Sequence, residues 1–353
     1  MIKQRPALML KPLTSISPSQ FARMDDCALQ VVLQKSLSGD LLPPGPMTYF
    51  GKAVHTIIEL ATKGELTDGP AITRRFEEEL AKAEVELTQK GWAYLVPLRF
   101  QITDFALRQK QAVRRALSLV PTHALTTGVA GGSYQTEERF ESANKKVIGY
   151  IDAIRQTDGG VEIVDYKSGQ ILDKTGLSVK QAYQQQLLLY AYLYWERHSV
   201  WPVRLVLVGL TGSPVEVPYR PNEAVQVYEQ AIARLAAINL GIQTDTLSDF
   251  SANSGSSTCS YCAVRPVCPT HAMTPTLKGH TDLEGTVTNV CEKQSTLLLQ
   301  LQHNEQTYIV VNIPSINLLT LTALLNQPVQ IMMLRVVGNN RYEWQGQTVL
   351  FWG

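Results

Sequence analysis

The sequence predicts an α/β domain followed by a small all-β domain. Between about residues 48 and 210, hydrophobic periodicity predicts a helix, three strands, a long helix and a further strand in that order. This mixture of elements is typical of α/β proteins. From residue 282 onward the sequence instead predicts five short strands, with a helical segment after the third. That second order is typical of an OB-fold barrel.

Length and composition restrict the class of protein. At roughly 100–200 residues per domain, the 353 residues predict two or three domains. Hydrophobic residues make up 44% and charged residues 18%, which excludes disordered, collagen-like and disulfide-stapled small proteins. No apolar run is long enough to span a membrane, and the run before Lys11 is too short for a secretory signal. We therefore expect a cytoplasmic protein.

Helical regions precede the predicted strands. The first begins at Ser17, where a serine N-cap followed by proline favours a helix start. The second covers about residues 48–63, after a loop rich in proline and glycine. Residues 71–119 place charged and apolar residues at helical spacing and predict two or more helices. We interpret the region 64–130 as a helical insertion.

Three strands joined by tight turns form the predicted centre of the α/β domain. The sequence alternates after Tyr134 and is β-rich over 146–156 and 161–167, with Asn-, Asp- and Gly-containing turns between these runs. A long helix over 181–198 and a buried strand over 203–210 follow. The predicted domains are therefore 1–270 for the α/β domain, 271–281 for a linker and 282–353 for the OB-like domain.

The OB-like domain leaves two interpretations of its role open. Its net charge is −2, because it has five acidic and three basic residues. OB-folds bind single strands by stacking aromatic side chains in a basic groove. The acidic balance also suits docking to a protein or to the α/β domain itself. The candidate stacking residues are Tyr308, Tyr342, Trp344, Phe351 and Trp352.

Two carboxylates and a lysine meet in the predicted strands. Asp152 and Asp165 lie on neighbouring strands, and Asp165 and Lys167 point to one face because they are two residues apart. Two carboxylates suit a hard divalent cation, and a lysine beside them can hold a nucleophilic water or a phosphate. This pattern indicates metal-assisted phosphodiester hydrolysis. A solvated strand face with an Asp–Lys ion pair is the alternative.

The cysteines predict a metal centre rather than disulfides. The sequence has five cysteines, an odd number, and no predicted export signal. Both observations argue against a disulfide framework. Cys259, Cys262 and Cys268 form a C-x2-C-x5-C cluster, and Cys27 is the candidate fourth ligand. Zinc and a [4Fe–4S] cluster both accept four thiolates, so spacing does not separate them, and unconnected thiols are a third interpretation. We expect Cys291 to be a core thiol, because its surroundings are apolar.

Four short motifs in a fixed order give the chain a family resemblance. The motifs are Gly51-x3-His55-x3-Glu59, Gly149-x2-Asp152, Asp165-x-Lys167 and Gln186-x3-Tyr190. Together they resemble the RecB-like branch of the PD-(D/E)XK nucleases over roughly residues 15–270. One cysteine before the first motif and three after the last resemble the iron–sulfur subgroup, which includes the CRISPR-associated RecB-like exonucleases and the AddB nuclease domain.

The resemblance implies a metal site in the α/β domain. Asp152 and Asp165 would be metal ligands, with His55 as a third side-chain ligand and the Tyr166 carbonyl as a further one. An imidazole suits Mn²⁺ better than Mg²⁺, so we expect Mn²⁺ to work at least as well. Lys167 would orient the attacking water and offset charge in the transition state.

The resemblance also implies supporting roles for the remaining motif residues. Gln186 and Tyr190 lie one helical turn apart and would face the site, touching the DNA backbone or Lys167. Glu59 would support the ligands from just outside them. The resemblance also implies that the cysteines hold a [4Fe–4S] cluster that staples the ends of the domain. We expect Glu162 to face solvent or to hold its neighbours in position.

These features predict a metal-dependent DNA nuclease, and an exonuclease on single strands or DNA ends, that acts in repair, recombination or CRISPR and other defence processing. No phosphate-binding P-loop motif occurs in the sequence, so we expect any unwinding to come from a partner such as a helicase. An integrase or another DNA-processing protein is a further expected partner. The alternatives are a non-catalytic DNA-binding or scaffolding subunit and a nuclease that needs a partner for activity.

Overall fold

A computed structural model gives the fold of the chain. It describes residues 1–121, 134–244, 256–260, 262–271 and 280–353. No helix within these ranges is both long enough and apolar enough to cross a membrane.

The chain divides into two compact units, each with its own sheet. The five-stranded unit consists of Pro12–Asp25 and Gly45–Leu247. The seven-stranded unit consists of Met1–Lys11, Asp26–Pro44 and Ser248–Gly353.

The helices and strands have the following bounds. The helices are α1 (Pro18–Ser36), α2 (Pro46–Thr62), α3 (Gly69–Gln89), α4 (Phe105–Leu117), α5 (Gln181–His198), α6 (Pro221–Gln243), α7 (Ser256–Cys259) and α8 (Leu318–Ala323). The strands are β1 (Ile2–Gln4), β2 (Tyr134–Glu141), β3 (Ile148–Thr157), β4 (Gly160–Lys167), β5 (Arg204–Gly209), β6 (Val215–Glu216), β7 (His280–Lys293), β8 (Thr296–His303), β9 (Gln306–Pro314), β10 (Pro328–Gly338), β11 (Arg341–Glu343) and β12 (Val349–Trp352).

The five-stranded sheet has the order β2-β3-β4-β5-β6. Strands β2, β3 and β4 form an antiparallel meander, and the turn before β4 uses Gly160 at φ 123°, a backbone conformation that suits glycine. Helix α5 then returns the chain so that β5 runs parallel to β4. The predicted order of helix, meander, helix and strand, and with it the α/β class, is confirmed.

Helices α2, α3 and α4 pack together around three aromatic rings. The ring centroid of Phe50 lies 5.3 Å from that of Phe76 and 6.2 Å from that of Phe105, in edge-to-face geometry that favours aromatic pairs. The predicted helical insertion contains α3 and α4. Its residues 122–130 lie outside the described part of the chain.

The seven-stranded sheet has the order β1-β12-β10-β11-β9-β8-β7, and β10 also pairs with β7. The predicted helical segment after the third strand contains α8. The predicted fifth strand is interrupted and forms β11 and β12. Most of the predicted linker, residues 272–279, lies outside the described residues, and the sheet begins at His280.

Cys291 is exposed, so its prediction as a core thiol is wrong. The register between β7 and β8 shifts between Val287 and Asn289. Such a bulge moves the following side chains to the opposite faces of the strand. Val290 therefore packs against the core while Cys291 points outward.

A buried ion-pair network ties the start of the seven-stranded sheet to the cysteine-rich segment. Arg265 and Asp282 are each 3% exposed, and Arg265 Nε donates to Asp282 Oδ2 over 2.7 Å. His271 Nε2 lies 3.0 Å from the same oxygen, and the Met333 N–H donates to Asp282 Oδ1 over 2.9 Å. Burial favours the neutral acid, but His271 and Arg265 outweigh it and lower the pKa of Asp282 to about 2.

Replacing Asp282 by asparagine should destabilise the protein. The substitution leaves the buried Arg265 guanidinium without its carboxylate, and removing one partner of a buried ion pair costs about 3–5 kcal/mol. Because the pKa of Asp282 is lowered on folding, its contribution is complete above about pH 4 and is lost as the pH falls toward about 2. Denaturant unfolding should show the full difference from wild type at pH 7 and a narrowing difference over that window.

Glu292→Gln is the matched control for Asp282→Asn. Glu292 is an exposed carboxylate on the same strand, so its loss should change the free energy of unfolding by less than about 0.5 kcal/mol. Equal stability of the two variants would contradict the prediction.

Candidate functional site

The sheet and two helices bring six predicted site residues together in the five-stranded unit. Asp152 lies within β3, and Asp165 and Lys167 lie toward the end of β4. Helix α2 supplies His55, and helix α5 supplies Gln186 and Tyr190 on one face.

Asp152 connects the α2 side of the site to the sheet. His55 Nδ1 lies 3.5 Å from Asp152 Oδ2. The Tyr166 N–H donates to the same carboxylate oxygen over 2.8 Å. Tyr166 thus enters the site through its backbone N–H, and the ligand role of its carbonyl stays a prediction.

Asp165 is the buried centre of a hydrogen-bonded chain. Its side chain is 2% exposed, and Lys167 Nζ lies 2.6 Å from its Oδ2. Lys167 Nζ also donates to Gln186 Oε1 over 3.0 Å. Gln186 Nε2 donates to Asp165 Oδ1 and to the Tyr190 hydroxyl oxygen, each over 3.1 Å. The amide of Gln186 therefore fixes the positions of a carboxylate, an ammonium and a phenol together.

The surroundings raise the pKa values of Asp165 on the sheet and His55 on α2. Burial raises the pKa of Asp165 to about 6, with Lys167 acting in the opposite direction and Asp152 adding to the rise. Burial favours neutral His55, but its hydrogen bond to Asp152 and the charges of Asp152 and Asp165 outweigh burial and raise its pKa. The site thus concentrates negative charge that a cation would relieve.

One buried oxygen supports the fit of a divalent cation. Among the described residues, Asp165 Oδ2 has an ion-pair contact with Lys167 Nζ at 2.6 Å but accepts no regular hydrogen bond. A buried carboxylate oxygen without a directed donor is costly, and a hard cation takes such oxygens as ligands. His55, Asp152 and Asp165 are the candidate donors. Within the described ranges, no three His, Cys, Asp or Glu side chains are already arranged around a metal position.

Two motif glycines permit close approach of the elements that carry the site. A Cβ added to Gly149 would lie 2.8 Å from Pro18 Cδ and 2.9 Å from Tyr190 Cε1. A Cβ added to Gly51 would lie 3.1 Å from the Oγ of Ser168, the residue after Lys167. The absence of a side chain at these positions lets α5 and α2 pack directly against the sheet.

Glu59 lies one turn beyond His55 on α2, where its ion-pair partner among the described residues is Lys63. Its supporting role toward the metal ligands stays a prediction. The structure adds Glu137, which lines one cleft with His55. Glu137 has φ 50° in β2, and burial, followed by the charges of Glu59 and Asp152, raises its pKa. Its position depends on an irregular strand backbone, which residue spacing does not reveal.

Tyr183 is another residue that the motifs missed. Lys167 Nζ lies 4.6 Å from the centroid of its ring, in cation–π geometry. Tyr183 lies three residues before Gln186 on α5, so helical spacing was the available signal.

The four predicted cysteine ligands line a single cavity in the seven-stranded unit. Cys27 comes from α1, where its extended backbone interrupts the helix. Cys259, Cys262 and Cys268 come from the segment around α7. The structure thus brings the distant cysteine to the local cluster.

The cavity favours neutral thiols when no metal is bound. Burial raises the pKa of Cys262 to about 11. Burial also raises the pKa of Cys259, with further contributions from Cys268 and Cys27, while Arg265 acts in the opposite direction. Because each thiolate disfavours the next, four of them require a compensating cation. The donor set fits a soft metal centre.

The chain belongs to the PD-(D/E)XK nuclease superfamily. Its sequence matches that family over residues 15–269, which spans the site and the cysteines. None of the curated proteins compared with the chain matches it. The solved structure of a murine DNA-binding protein bound to double-stranded DNA is similar at 10% identity and a TM-score of 0.18, over 62% of this chain and 92% of that chain. That likeness is too weak to carry an argument about function.

Gly149→Ala should destabilise the protein by overpacking the contact between β3 and α5. The new methyl group would overlap Pro18 and Tyr190, and such overpacking costs about 1–3 kcal/mol. Denaturant unfolding measures the loss. In the control Gly159→Ala, the new Cβ would meet only Thr157 Oγ1 at 3.9 Å, so we expect a change below about 0.5 kcal/mol. A Gly149→Ala variant as stable as the control would contradict the prediction, because Pro18 and Tyr190 would then shift without lowering the free energy of unfolding.

Proposed function

We propose that the chain is a metal-dependent deoxyribonuclease of the RecB-like branch that hydrolyses phosphodiester bonds as an exonuclease on single strands or DNA ends. One observation carries the proposal: buried Asp165 is shared between Lys167 and Gln186, with Asp152 and His55 beside it. A solvated Asp–Lys pair, the alternative at the level of sequence, does not fit a carboxylate that is 2% exposed.

His55, Asp152 and Asp165 would hold the metal, with the Tyr166 carbonyl as a further ligand. Members of the superfamily typically use Mg²⁺ or Mn²⁺, and the imidazole favours Mn²⁺. When bound, such an ion polarises a phosphoryl oxygen and lowers the pKa of a coordinated water.

The protein's own residues position the reactants. Lys167 presents an ammonium beside the carboxylates, where it orients water and offsets the charge that develops on the phosphoryl oxygens. Gln186 holds that ammonium through its Oε1, and Tyr190 accepts a hydrogen bond from Gln186 Nε2, which orients the amide. Burial, followed by the charges of Asp165 and Asp152, raises the pKa of Tyr190, so its phenol stays neutral.

Cys27, Cys259, Cys262 and Cys268 are proposed to hold a [4Fe–4S] cluster, with zinc as the alternative. Support comes from the shared cavity and from the soft thiolate donors. The proposed role of the centre is structural, since it would join α1 to a segment more than two hundred residues later.

The seven-stranded sheet is proposed to include an OB-like barrel over residues 282–353. The proposed domains remain 1–270 for the α/β domain, 271–281 for the linker and 282–353 for the OB-like domain. The pairing of β10 with β7 and the helix between β9 and β10 support the barrel. Of the candidate stacking residues, Tyr308 and Tyr342 lie together, with ring centroids 6.0 Å apart and ring planes tilted by 57°. The acidic balance of the segment keeps protein docking as the second role.

The proposed biological setting is DNA repair, recombination or defence processing, together with a helicase, an integrase or another DNA-processing partner. The second candidate, a subunit that cuts only with its partner or serves as a scaffold, predicts DNA binding without cleavage by the isolated chain.

Lys167→Ala should abolish most cleavage. Removing one preorganised charge from a phosphoryl-transfer site costs roughly 10²–10³-fold in rate. End-labelled single- and double-stranded DNA, incubated with Mn²⁺, Mg²⁺ or EDTA, measures the rate, and the product ladder separates exonuclease from endonuclease activity. The control Lys82→Ala removes an exposed lysine of α3 and should cut normally. Metal-dependent cutting that survives in Lys167→Ala would contradict the site, and DNA binding without cutting by wild type would favour the partner-activated candidate.

Cys259→Ser should yield colourless, less stable protein. Loss of one of four thiolate ligands removes the cluster and the link it makes between two distant segments. Absorbance near 400 nm and iron content after anaerobic purification measure this. Cys291→Ser is the matched control, because that thiol is exposed and outside the cavity. Wild-type protein that contains zinc and lacks this absorbance would replace the cluster with the zinc alternative.

A further inference from the structure

A second cleft opens beside Lys167. It has a volume of about 680 Å³ and is lined by the loop Ser168–Gly176, the loop Gly209–Ser213 and helix α4. The cleft beside His55 and Lys52 has a volume of about 760 Å³, and Ser168 lines both clefts. The residue after the candidate catalytic lysine therefore separates two open clefts.

Helix α4 supplies positive charge to one wall of the second cleft. It has four basic residues and no acidic residue. Arg108, Gln111 and Arg115 follow at helical spacing along one face, and Arg108 and Gln111 line the cleft. Arg115 is already committed, since its Nε donates to the Gly209 carbonyl over 2.8 Å and its Nη2 to the Gly212 carbonyl over 2.6 Å. That contact fixes α4 against the loop.

The cleft offers an anionic ligand two cations, Lys174 and Arg108, the second of which also donates from Nε to the Thr103 carbonyl over 3.0 Å. In the part of the chain that the structure describes, neither Arg108 nor Lys174 has an acidic ion-pair partner. The acidic lining residue, Asp173, accepts hydrogen bonds at Oδ1 from the N–H and hydroxyl of Thr175. Its carboxylate is thus engaged in its own turn.

Small residues keep the floor of this cleft open. Gly169 and Gly212 have no atom within 4 Å of the position of an added Cβ. Backbone exposed by glycine and serine accepts close approach of a phosphate group.

We propose that this cleft binds the phosphodiester backbone of a single nucleic-acid strand, with Arg108 and Lys174 as phosphate-contacting residues and the strand passing over Ser168 into the cleft beside His55. The inference rests on the proposed nuclease function and deepens it, because it gives the substrate a path on both sides of the cut bond. Its chemistry is recognition of a polyanionic strand without base readout.

The test compares full-length wild type with the double variant Arg108→Ala/Lys174→Ala. Binding of a fluorescein-labelled single-stranded oligothymidylate is followed in EDTA between about 50 and 200 mM salt. Loss of two phosphate contacts on a single strand should reduce the slope of log affinity against log salt by about 1.4 and the affinity at 0.15 M salt by roughly tenfold. The control Lys82→Ala/Lys90→Ala removes the same charge from α3 and its C-cap.

A second measurement separates this inference from the nuclease proposal. Hydrolysis of bis(p-nitrophenyl) phosphate with Mn²⁺ needs the site but not the cleft, so the double variant should retain it. Retained hydrolysis with the weakened binding and shallower salt slope supports the inference. An unchanged salt slope, an equal loss in the α3 control, or failure of wild type to bind the strand overturns it. Wild type that hydrolyses neither DNA nor the small diester overturns the nuclease proposal instead.

Discussion

The site depends on the burial of one carboxylate inside a sheet. Asp165 lies on β4 between β3 and β5, with 2% of its side chain exposed. Desolvation of an unpaired carboxylate costs several kcal/mol, so the surrounding chain must compensate it. Lys167 provides charge and Gln186 provides a directed N–H.

This constraint explains why the other elements pack as they do. Gln186 can reach Asp165 only because α5 lies directly on the meander, and that approach requires a glycine at position 149. Leu187, Leu189 and Leu193 are fully buried, so apolar packing holds the helix that carries the polar contact. A hydrophobic core thus supports an electrostatically costly site, and the proposed nuclease chemistry is a reason for the chain to retain that cost.

Local hydrophobic periodicity predicts many of the helices and strands. It does not predict contacts between residues that are distant in the sequence. The long helix was predicted over 181–198 and is observed as Gln181–His198, because its apolar face is continuous. The pairing of β1 with β12 joins the two ends of the chain, and no local pattern indicates it. The sequence does carry one signal for the interruption between β11 and β12, because the intervening residues include Gly346.

The motifs predicted the residues of the site better than their surroundings. His55, Asp152, Asp165, Lys167, Gln186 and Tyr190 do lie close together, as the family resemblance implies. Spacing alone places only Asp165 with Lys167, and Gln186 with Tyr190, on a common face. The sequence leaves Glu162 with either a solvent-facing or a positional role. It is 4% exposed in its side chain, and it pairs with Arg155 on β3 and Arg204 on β5. Only the order of strands in the sheet brings those two arginines to its sides.

The net charge of the whole chain likewise does not reveal how charges are arranged in the structure. A value of +1 for the whole chain allows a nucleic-acid partner but does not by itself indicate one. In the helical insertion, however, Arg75 and Lys82 on α3 and Lys90 at its C-cap are paired with acids of that helix. Helix α4 has basic residues alone and turns two of them toward the loops beside Lys167. Charges within one helix cancel over a few ångströms, so a phosphate at the cleft meets the field of α4 rather than the average of the chain. The electrostatic feature that favours binding of a nucleic-acid strand is therefore α4, a helix that has basic residues and no acidic ones.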